Sequence, residues 1–170
     1  MLKRLLVSSS VSGARIRHEL AVRSVAGRYC APTEAKACMW SGRISHPDDL
    51  RICSLTGISF HSEFAAPGGN SHLQPLAELL HGVRHTTDAA DRWNEIAGKA
   101  SDVLRGSRCR VESAFTSPDK RHLALCTEVR TLLGLRTQQA GLLYSMRDGS
   151  IVGRLALGKR TPKGWIQAGA

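Results

Sequence analysis

Residues 38 to 64 read CMWSGRISHPDDLRICSLTGISFHSEF, a stretch that contains two consecutive copies of one pattern. Each copy begins with Cys, reaches a Ser-Gly or Thr-Gly pair, places a His four residues after the Gly, and ends in an acidic residue followed by an apolar one. A small polar residue before Gly is a tight-turn signal, because Gly readily adopts the positive φ that such turns need. Each copy therefore predicts two short strands joined by a turn, with a polar bend after them.

Two earlier segments follow the same pattern without the Cys. Ser9–Gly13 and Arg23–Gly27 align with Cys38–Gly42 and Cys53–Gly57, and the four glycines are 14, 15 and 15 residues apart. Units of this length bury too little surface to fold alone, so they must stack on their neighbours or gather around a metal ion. Residues 1–66 are therefore predicted to be an array of four degenerate β-hairpin repeats, each about 15 residues long.

The later units carry Cys and His at regular intervals of 8, 8, 7 and 8 residues. A hairpin closed at the Gly would place its Cys across from its His, so two adjacent hairpins would offer a Cys2His2 set to one zinc ion. The alternative is that the cysteines are small buried side chains and the histidines lie on the surface. The candidate zinc ligands are Cys30, Cys38, His46, Cys53 and His61.

A boundary is predicted after the array. Residues 67–72 contain Pro67, two glycines and Asn70, which is the composition of a linker. Residues 73–170 then change to helical periodicity, first from Pro75 to Val83 and then from Trp93 to Leu104, with Thr87 or Asp88 as the N-cap of the second helix.

From Cys109 onward, apolar residues alternate with polar ones, which is typical of strands. Four strands are predicted, over residues 109–115, 123–129, 141–146 and 151–157, the last two forming a hairpin through Asp148-Gly149. The fold class is therefore predicted to be α+β, with the hairpin array followed by two helices and a small four-stranded antiparallel sheet.

The net charge is +10 with a pI near 10.0, and most of this excess lies in residues 108–170, where eleven Lys/Arg stand against four Asp/Glu. Such a balance favours a polyanionic partner, DNA or RNA. The predicted contact is the loop 158–164 with the Trp that follows it, because cations beside an exposed aromatic residue hold phosphates and stack a base. The alternative is a solvated loop whose Trp folds back onto the sheet. The candidate nucleic-acid-binding residues are Lys159, Arg160, Lys163 and Trp165.

The same residues argue against several other classes of function. His122, Cys126 and Glu128 have the side chains of a Cys-His catalytic site, but on a strand they merely share one face, and no oxyanion-hole loop accompanies them. No apolar run approaches the roughly 20 residues that span a bilayer, so no membrane partner is expected. Five cysteines, an odd number, favour reduced thiols and a cytoplasmic location.

The Cys-x-x-Ser/Thr-Gly turns and the stretch His46-Pro47-Asp48-Asp49-Leu50 resemble the Cys-rich tandem segments of large bacterial proteins of the SNF2-like helicase type. The resemblance covers residues 1–64 and implies an accessory region, the tail of a larger helicase-like protein. The sequence thus predicts a noncatalytic accessory module that contacts nucleic acid through its basic β-rich ends, with zinc stabilising the repeats. The alternative is a protein-interaction or scaffold module that does not bind nucleic acid.

Overall fold

The structure is a computed structural model that describes residues 5–68, 71–85, 90–105, 107–131 and 136–168. Within these ranges, eight short strands pair as four antiparallel hairpins, each two to three residues deep, before the first α-helix. The hairpin strands are β1 Leu6–Ser8, β2 Arg15–Arg17, β3 Val22–Arg23, β4 Tyr29–Cys30, β5 Lys36–Ala37, β6 Ile44–Ser45, β7 Leu50–Ile52 and β8 Ser59–His61.

The rest of the chain forms two helices and a larger sheet, which confirms the α+β class. The sheet has five strands in the order β13-β12-β11-β10-β9, so every strand pairs with its neighbour in sequence. The prediction of four strands is therefore wrong. The elements are α1 Gln74–Leu80, α2 Trp93–Val103, β9 Arg108–Thr116, β10 His122–Thr131, β11 Arg136–Ser145, β12 Ser150–Thr161 and β13 Gly164–Gln167.

The fifth strand replaces the loop predicted over residues 158–164. β12 continues to Thr161 and turns directly into β13, with Gly158 opposite Gln167 and Arg160 opposite Trp165. The Trp165 ring occupies the space that a side chain at residue 158 would fill. The absence of a side chain at Gly158 therefore lets this ring pack on the neighbouring strand. The glycines and the proline of this segment suggested a loop, whereas cross-strand packing makes it a hairpin.

Each of the four small hairpins closes in the same way. Their turn glycines, Gly13, Gly27, Gly42 and Gly57, have φ of 76°, 80°, 69° and 78°. Each glycine N–H donates to the carbonyl of a Ser or Cys earlier in the turn, at 2.7 to 3.0 Å, three residues back at Gly27 and four residues back at the other three glycines. This left-handed backbone is costly for residues with a Cβ, which is why Gly recurs here.

Backbone hydrogen bonds join successive hairpins. The turn residue Ser10 donates its N–H to the Tyr29 carbonyl in the second hairpin at 2.8 Å, and Met39 donates to Ser59 in the fourth at 2.9 Å. Ser54 extends the series by donating to Ser71 at 2.8 Å, beyond the last hairpin. The hairpins therefore stack on the chain segments that follow them, as the shortness of each unit requires.

The acidic residue that follows a hairpin bonds to the turn of the hairpin before it. Glu34 accepts hydrogen bonds from the Ser9 hydroxyl at 2.6 Å and from the Ala31 N–H at 2.7 Å. Hydrogen bonds from Ser12 and Ser9 hold the pKa of Glu34 below its usual value. Asp49 accepts from the N–H of Val25 in the same manner, at 3.0 and 3.1 Å. The recurrent acids thus satisfy turn donors of the preceding unit.

One hydrophobic core unites the last two hairpins with α1 and one face of the sheet, here called the α1 face. The predicted segments 1–66 and 73–170 therefore share a core, and the Ala66 N–H also bonds to the His72 carbonyl across the predicted linker at 2.9 Å. The fully buried members of this core are Cys38, Trp40, Cys53, Leu55, Phe60, Leu73, Leu76, Leu79, Leu80, Ala124, Cys126, Leu143 and Ala156.

Helix α2 covers the opposite side of the sheet, the α2 face. Ile96 and Ala100 of this helix pack on Leu123, Leu125 and Tyr144, which alternate along their strands with residues of the α1 face. The predicted caps Thr87 and Asp88 lie outside the described residues, and the described helix is preceded by a 3₁₀ turn over Ala90–Arg92. No helix in the described ranges is long and apolar enough to cross a membrane.

Gly153 is the point where the sheet touches the fourth hairpin most closely. It has φ of 72°, and a Cβ there would overlap the Thr56 carbonyl oxygen. The neighbouring Arg154 donates its N–H to the same carbonyl at 3.0 Å and its Nε to the Leu55 carbonyl at 3.1 Å. The hairpin array and the sheet are therefore joined backbone to backbone.

Gly153→Ala should lower the free energy of unfolding by about 3 kcal/mol, because it combines a strained φ with a clash against backbone atoms. Gly13→Ala is the matched control, since Gly13 has φ of 76° and a Cβ added there would have no atom within 4 Å, so it should cost only about 1 kcal/mol. Chemical denaturation of both variants measures the difference. Equal losses would show that the contact with Thr56 does not hold the two parts together.

Candidate nucleic-acid interface

The predicted zinc-binding histidines cap 3₁₀ turns. Nδ1 of His46 accepts the N–H of Asp48 at 3.1 Å, and Nδ1 of His61 accepts the N–H of Glu63 at 3.2 Å. Both histidines are buried and each stands immediately before a 3₁₀ turn, Pro47–Asp49 or Ser62–Phe64. These imidazoles perform the N-capping task that Ser, Asp or Asn usually perform.

One of the predicted zinc-binding cysteines, Cys38, also accepts hydrogen bonds from backbone N–H groups. Cys38 Sγ accepts the N–H of Ser41 at 3.4 Å and that of His61 at 3.2 Å. In the first hairpin the equivalent Ser9 hydroxyl accepts two turn N–H groups, from Val11 at 3.1 Å and Ser12 at 3.2 Å. Ser9 and Cys38 therefore perform the same task at equivalent positions, because a hydroxyl or a thiol can accept hydrogen bonds from the turn.

The five candidate ligands do not form one set. In the described part of the chain, no three His, Cys, Asp or Glu side chains are grouped so that they could hold a metal ion. Cys30, Cys38 and Cys53 are fully buried, as the alternative interpretation of the cysteines expects. The same interpretation placed the histidines on the surface, which is wrong for His46 and His61, because both are buried. All five cysteines of the chain are free thiols, each within the described ranges. Zinc binding remains a prediction that this arrangement of side chains does not support.

The predicted phosphate-binding residues are split between the two faces of the sheet. Arg160 and Trp165 are cross-strand partners, whereas Lys159 pairs with Ile166 and points to the other face by strand alternation. Lys163 is exposed in the turn between β12 and β13. A single basic surface made of all four residues is therefore absent from this structure, because the predicted loop is a strand.

Arg160 caps the C-terminus of α1. Its Nε donates to the Leu80 carbonyl at 3.0 Å, its Nη2 donates to the Leu79 carbonyl at 3.2 Å, and it forms an ion pair with Glu112 at 3.3 Å. A guanidinium at this end of a helix satisfies carbonyls that lack helical partners. These contacts assign Arg160 to the structure of the core.

Trp165 packs against the core, as the alternative interpretation of the loop expects. Its ring covers Gly158, and its backbone N–H points at Nδ1 of His81 at 3.4 Å. The ring is only partly exposed, so this placement favours packing over stacking on a base.

The structure gathers a different basic cluster at the open end of β9 and β10. Arg108 lies opposite Arg130, and Arg110 lies opposite Glu128, so these four side chains share the α1 face. They line a hollow of about 410 Å³ that also includes Cys109. We call Arg108, Arg110 and Arg130 the arginine cluster.

Glu128 holds two members of this cluster in place. Arg110 Nη2 lies 3.0 Å from one carboxylate oxygen, and Arg130 Nε bonds to the other. The hydrogen bond from Arg110 is the main reason why the pKa of Glu128 is lowered, so this carboxylate stays ionised. The arginine side chains nevertheless remain 72% and 56% exposed, which leaves donors free for an anion.

Sequence reasoning missed the arginine cluster. Arg-x-Arg at residues 108–110 and Glu-x-Arg at residues 128–130 were visible as alternating charges, and alternation places each pair on one face. What was missing is the register between β9 and β10, which a bulge near Thr127 sets. Without that register, the two pairs cannot be placed side by side.

Cys126 is buried near Glu112 and Arg160 and does not resemble a nucleophile. Its thiol lies 3.6 Å from a Glu112 oxygen, and burial, together with this carboxylate, raises its pKa to about 12. A thiol with that pKa is neutral at physiological pH, whereas the thiolate is the reactive form. His122 shares the strand face, as predicted, but its buried Nδ1 has no partner among the described residues.

Cys38→Ser should preserve the fold with a loss of about 1 to 2 kcal/mol, because a Ser hydroxyl can accept the same N–H groups. We expect the purified protein to contain less than one equivalent of zinc, measured by mass spectrometry, and the variant to melt cooperatively. Stoichiometric zinc that is lost in Cys38→Ser, with unfolding of the array, would re-establish the metal prediction.

Arg160→Ala and Trp165→Ala should each lower the free energy of unfolding by about 1 to 3 kcal/mol, because one leaves helix carbonyls unsatisfied and the other uncovers the core. Lys159→Ala and Lys163→Ala are the matched controls, since both side chains are exposed, and each should change it by less than about 0.5 kcal/mol. Thermal denaturation compares the four variants. If Trp165→Ala is as stable as the unmodified protein, Trp165 does not stabilise the core, and the prediction that its ring stacks on a base is favoured.

No protein-family model, characterised protein or solved structure matches this chain. The resemblance of residues 1–64 to segments of SNF2-like helicase-type proteins therefore stays a prediction.

Proposed function

We propose that this protein is a noncatalytic module that binds the phosphate backbone of DNA or RNA. The observation that carries this proposal is the arginine cluster, in which three cations surround a hollow at the exposed end of the sheet. One carboxylate, Glu128, balances one of the three charges, so the cluster keeps an excess of two positive charges. The guanidinium group suits this task, because its planar fork donates two hydrogen bonds to a phosphate.

Two of the three arginine side chains are also held in position before a phosphate binds. Glu128 is itself buried and fixes Arg110 and Arg130 from below, so less side-chain entropy is lost when a phosphate binds. Arg108 has no ion pair within the described residues and stands beside Arg130 in the register of the sheet. Three phosphate contacts from one rigid surface favour affinity that does not depend on base sequence.

The hairpins also carry exposed arginines. We further propose that the four hairpins are copies of one unit, which is supported by their shared turn geometry and shared turn acceptors. Arg15, Arg17 and Arg51 are exposed on their strands and have no ion pair within the described residues. Zinc is not part of this proposal, since Cys38, His46 and His61 accept hydrogen bonds from backbone N–H groups and the described residues contain no group of three metal-ligand side chains.

An accessory role in a larger helicase-like protein agrees with the resemblance of residues 1–64 and with backbone binding. A module that binds the phosphate backbone would hold such a helicase-like protein on its nucleic acid. This part of the proposal depends on the resemblance alone.

A scaffold function is the second candidate, and one surface favours it. A hollow of about 270 Å³ beside α1 is lined mainly by apolar side chains, and a protein segment with an apolar anchor would fit there. Binding through this hollow would be nearly independent of salt, unlike binding to phosphates. Its apolar lining residues are Trp40, Phe64, Pro75, Phe115 and Pro118.

Replacing Arg108, Arg110 and Arg130 together by Gln should weaken binding to single-stranded and duplex DNA and to RNA. Gln keeps an amide donor for Glu128 while it removes three charges. The slope of log affinity against log salt should fall by roughly two to three, as each phosphate contact releases about 0.7 to 0.9 counterions. Fluorescence anisotropy at several salt concentrations measures the slope.

The matched control removes three exposed cations from the opposite end of the sheet, with Lys120→Asn, Arg121→Ala and Arg147→Ala. Asn is chosen for residue 120 because Lys120 has φ of 58°, which Asn tolerates. This control should retain the affinity and most of the slope. Equal effects of both triple variants would mean that net charge acts without a site, and absence of binding at low salt would leave the scaffold function.

A further inference from the structure

A third hollow, of about 480 Å³, opens between the second, third and fourth hairpins. Its lining includes Ser24, Ser45, Asp49 and His61, whose side chains belong to different hairpins or the turns after them and are all more than nine-tenths buried. Buried polar side chains around an open hollow are costly unless hydrogen bonds satisfy them. We call this hollow the hairpin pocket.

His61 presents an unsatisfied donor to the hairpin pocket. Its Nδ1 accepts the Glu63 N–H, so the neutral ring carries its proton on Nε2. That Nε2 lies 4.0 Å from the nearer Asp49 oxygen, which is too far for a hydrogen bond, and it has no other partner in the described part of the chain. A donor and an acceptor therefore face each other across a gap.

In the preceding unit, both ring nitrogens of the equivalent histidine, His46, have hydrogen-bond partners. His46 also caps its turn through Nδ1, but its Nε2 lies 2.9 Å from the Ser10 hydroxyl of the first hairpin. His46 thus forms hydrogen bonds within the protein through both ring nitrogens, whereas Nε2 of His61 has no hydrogen-bond partner among the described residues.

Asp49 is the acceptor on the other side of the gap. Its two oxygens share the single N–H of Val25, and an ionised carboxylate has about four lone-pair sites, so it can accept further hydrogen bonds. A ligand that fits here must place donors against Asp49 and an acceptor against Nε2 of His61.

The rim of the hairpin pocket carries both apolar and charged side chains. Val25 and Ile44 line it and are 79% and 56% exposed, which is unusual for large aliphatic side chains and gives a planar ligand apolar surface to contact. Arg23, Arg43 and Glu63 also line the pocket with exposed side chains, and Arg43 forms an ion pair with Glu63 at 3.8 Å, which leaves one positive charge in excess at the rim. The rim therefore suits a flat heterocycle that carries an anionic group.

We propose that the hairpin pocket binds a guanine nucleotide, either free or as one unpaired residue of a bound strand. The Watson–Crick edge of guanine has two adjacent donors, N1–H and the 2-amino group, for Asp49, and O6 as an acceptor for Nε2 of His61. Adenine, cytosine and uracil do not offer two adjacent donors beside an acceptor. Val25 and Ile44 contact the base, and Arg23 or Arg43 pairs with its phosphate.

If the guanine belongs to a bound strand, the pocket adds base recognition to the proposed function. This part of the inference rests on that proposed function. Backbone contacts at the arginine cluster would supply affinity, and the hairpin pocket would add a preference for an unpaired guanine. Its volume lies within the range of about 300 to 1,000 Å³ that is usual for small-molecule sites.

The first test titrates the whole protein with guanosine 5′-monophosphate by calorimetry, and compares it with the inosine, adenosine, cytidine and uridine monophosphates. Inosine monophosphate lacks only the 2-amino group, so it should bind at least about fivefold more weakly than the guanosine compound. Saturable binding with this order supports the proposal. Equal affinity for all five nucleotides, or no saturable binding of the guanosine compound, overturns it.

The second test uses His61→Asn, which keeps a side-chain acceptor for the turn but removes Nε2. Its matched control is His46→Asn, which makes the same change in the equivalent cap outside the pocket. We expect at least about tenfold weaker nucleotide binding for His61→Asn and unchanged binding for His46→Asn. If either variant melts too early, Val25→Glu, at an exposed rim position, tests the pocket instead and should abolish binding. Unchanged binding in His61→Asn or Val25→Glu overturns the proposal.

Strand binding separates the two sources of the nucleotide. An oligonucleotide with one central guanine should bind more tightly than its inosine counterpart if the base is read within a strand. If strands bind tightly but without a preference for guanine, and mononucleotides do not bind, the pocket proposal is refuted and the proposed function is unaffected. Mononucleotide binding without any strand binding would support the pocket for a free nucleotide and refute the proposed function.

Discussion

The burial of Trp40 and Leu55 between the hairpins, α1 and the sheet is the contact on which the rest of the structure depends. Both residues stand two positions before a turn glycine, and both are 1% exposed. Val11 and Val25 occupy the same position in the first two hairpins and are 53% and 79% exposed. A hairpin of this size has almost no interior of its own, so apolar burial against the sheet stabilises the third and fourth hairpins, and hydrogen bonds extend the stack to the first two.

That division also explains where polar surfaces remain. The apolar residues of the third and fourth hairpins pack in the core that they share with the sheet. The hairpin pocket forms on the side that the sheet does not cover, and Ser45, Asp49 and His61 line it. At the other end of the molecule, α1 finishes at Leu80, where Arg160 caps it. Beyond that point, His85 exchanges hydrogen bonds with Ser113 of β9 and packs on Phe115, and the arginine cluster lies farther along the same face. Charged side chains therefore line the part of the α1 face that lies past the apolar core.

The candidate sites were less predictable than the fold, because side-chain chemistry has more than one use. Cys38, His46 and His61, which lie at zinc-like intervals, accept hydrogen bonds from backbone N–H groups of turns. Ser9 and Ser24 perform this task in the first two units. Basic residues that are close in sequence, such as Lys159 and Arg160, point to opposite faces because they lie on a strand. Arg108 and Arg130 are 22 positions apart and become neighbours only through the register of β9 and β10. Charge patterns therefore indicated a basic protein but not the location of its basic surface.

The sequence by itself determined the four turn glycines, the alternation of the long strands, the apolar stripe of α2 and the α+β class, since each depends on neighbours within a few residues. Only the tertiary structure decided the fifth strand, the shared core of the two predicted segments and the placement of every candidate site residue. The physical reason is that these features depend on which surfaces meet: Trp165 covers Gly158, Thr56 meets Gly153, and Asp49 reaches back to Val25. Packing between distant segments selects among local patterns that are individually permitted.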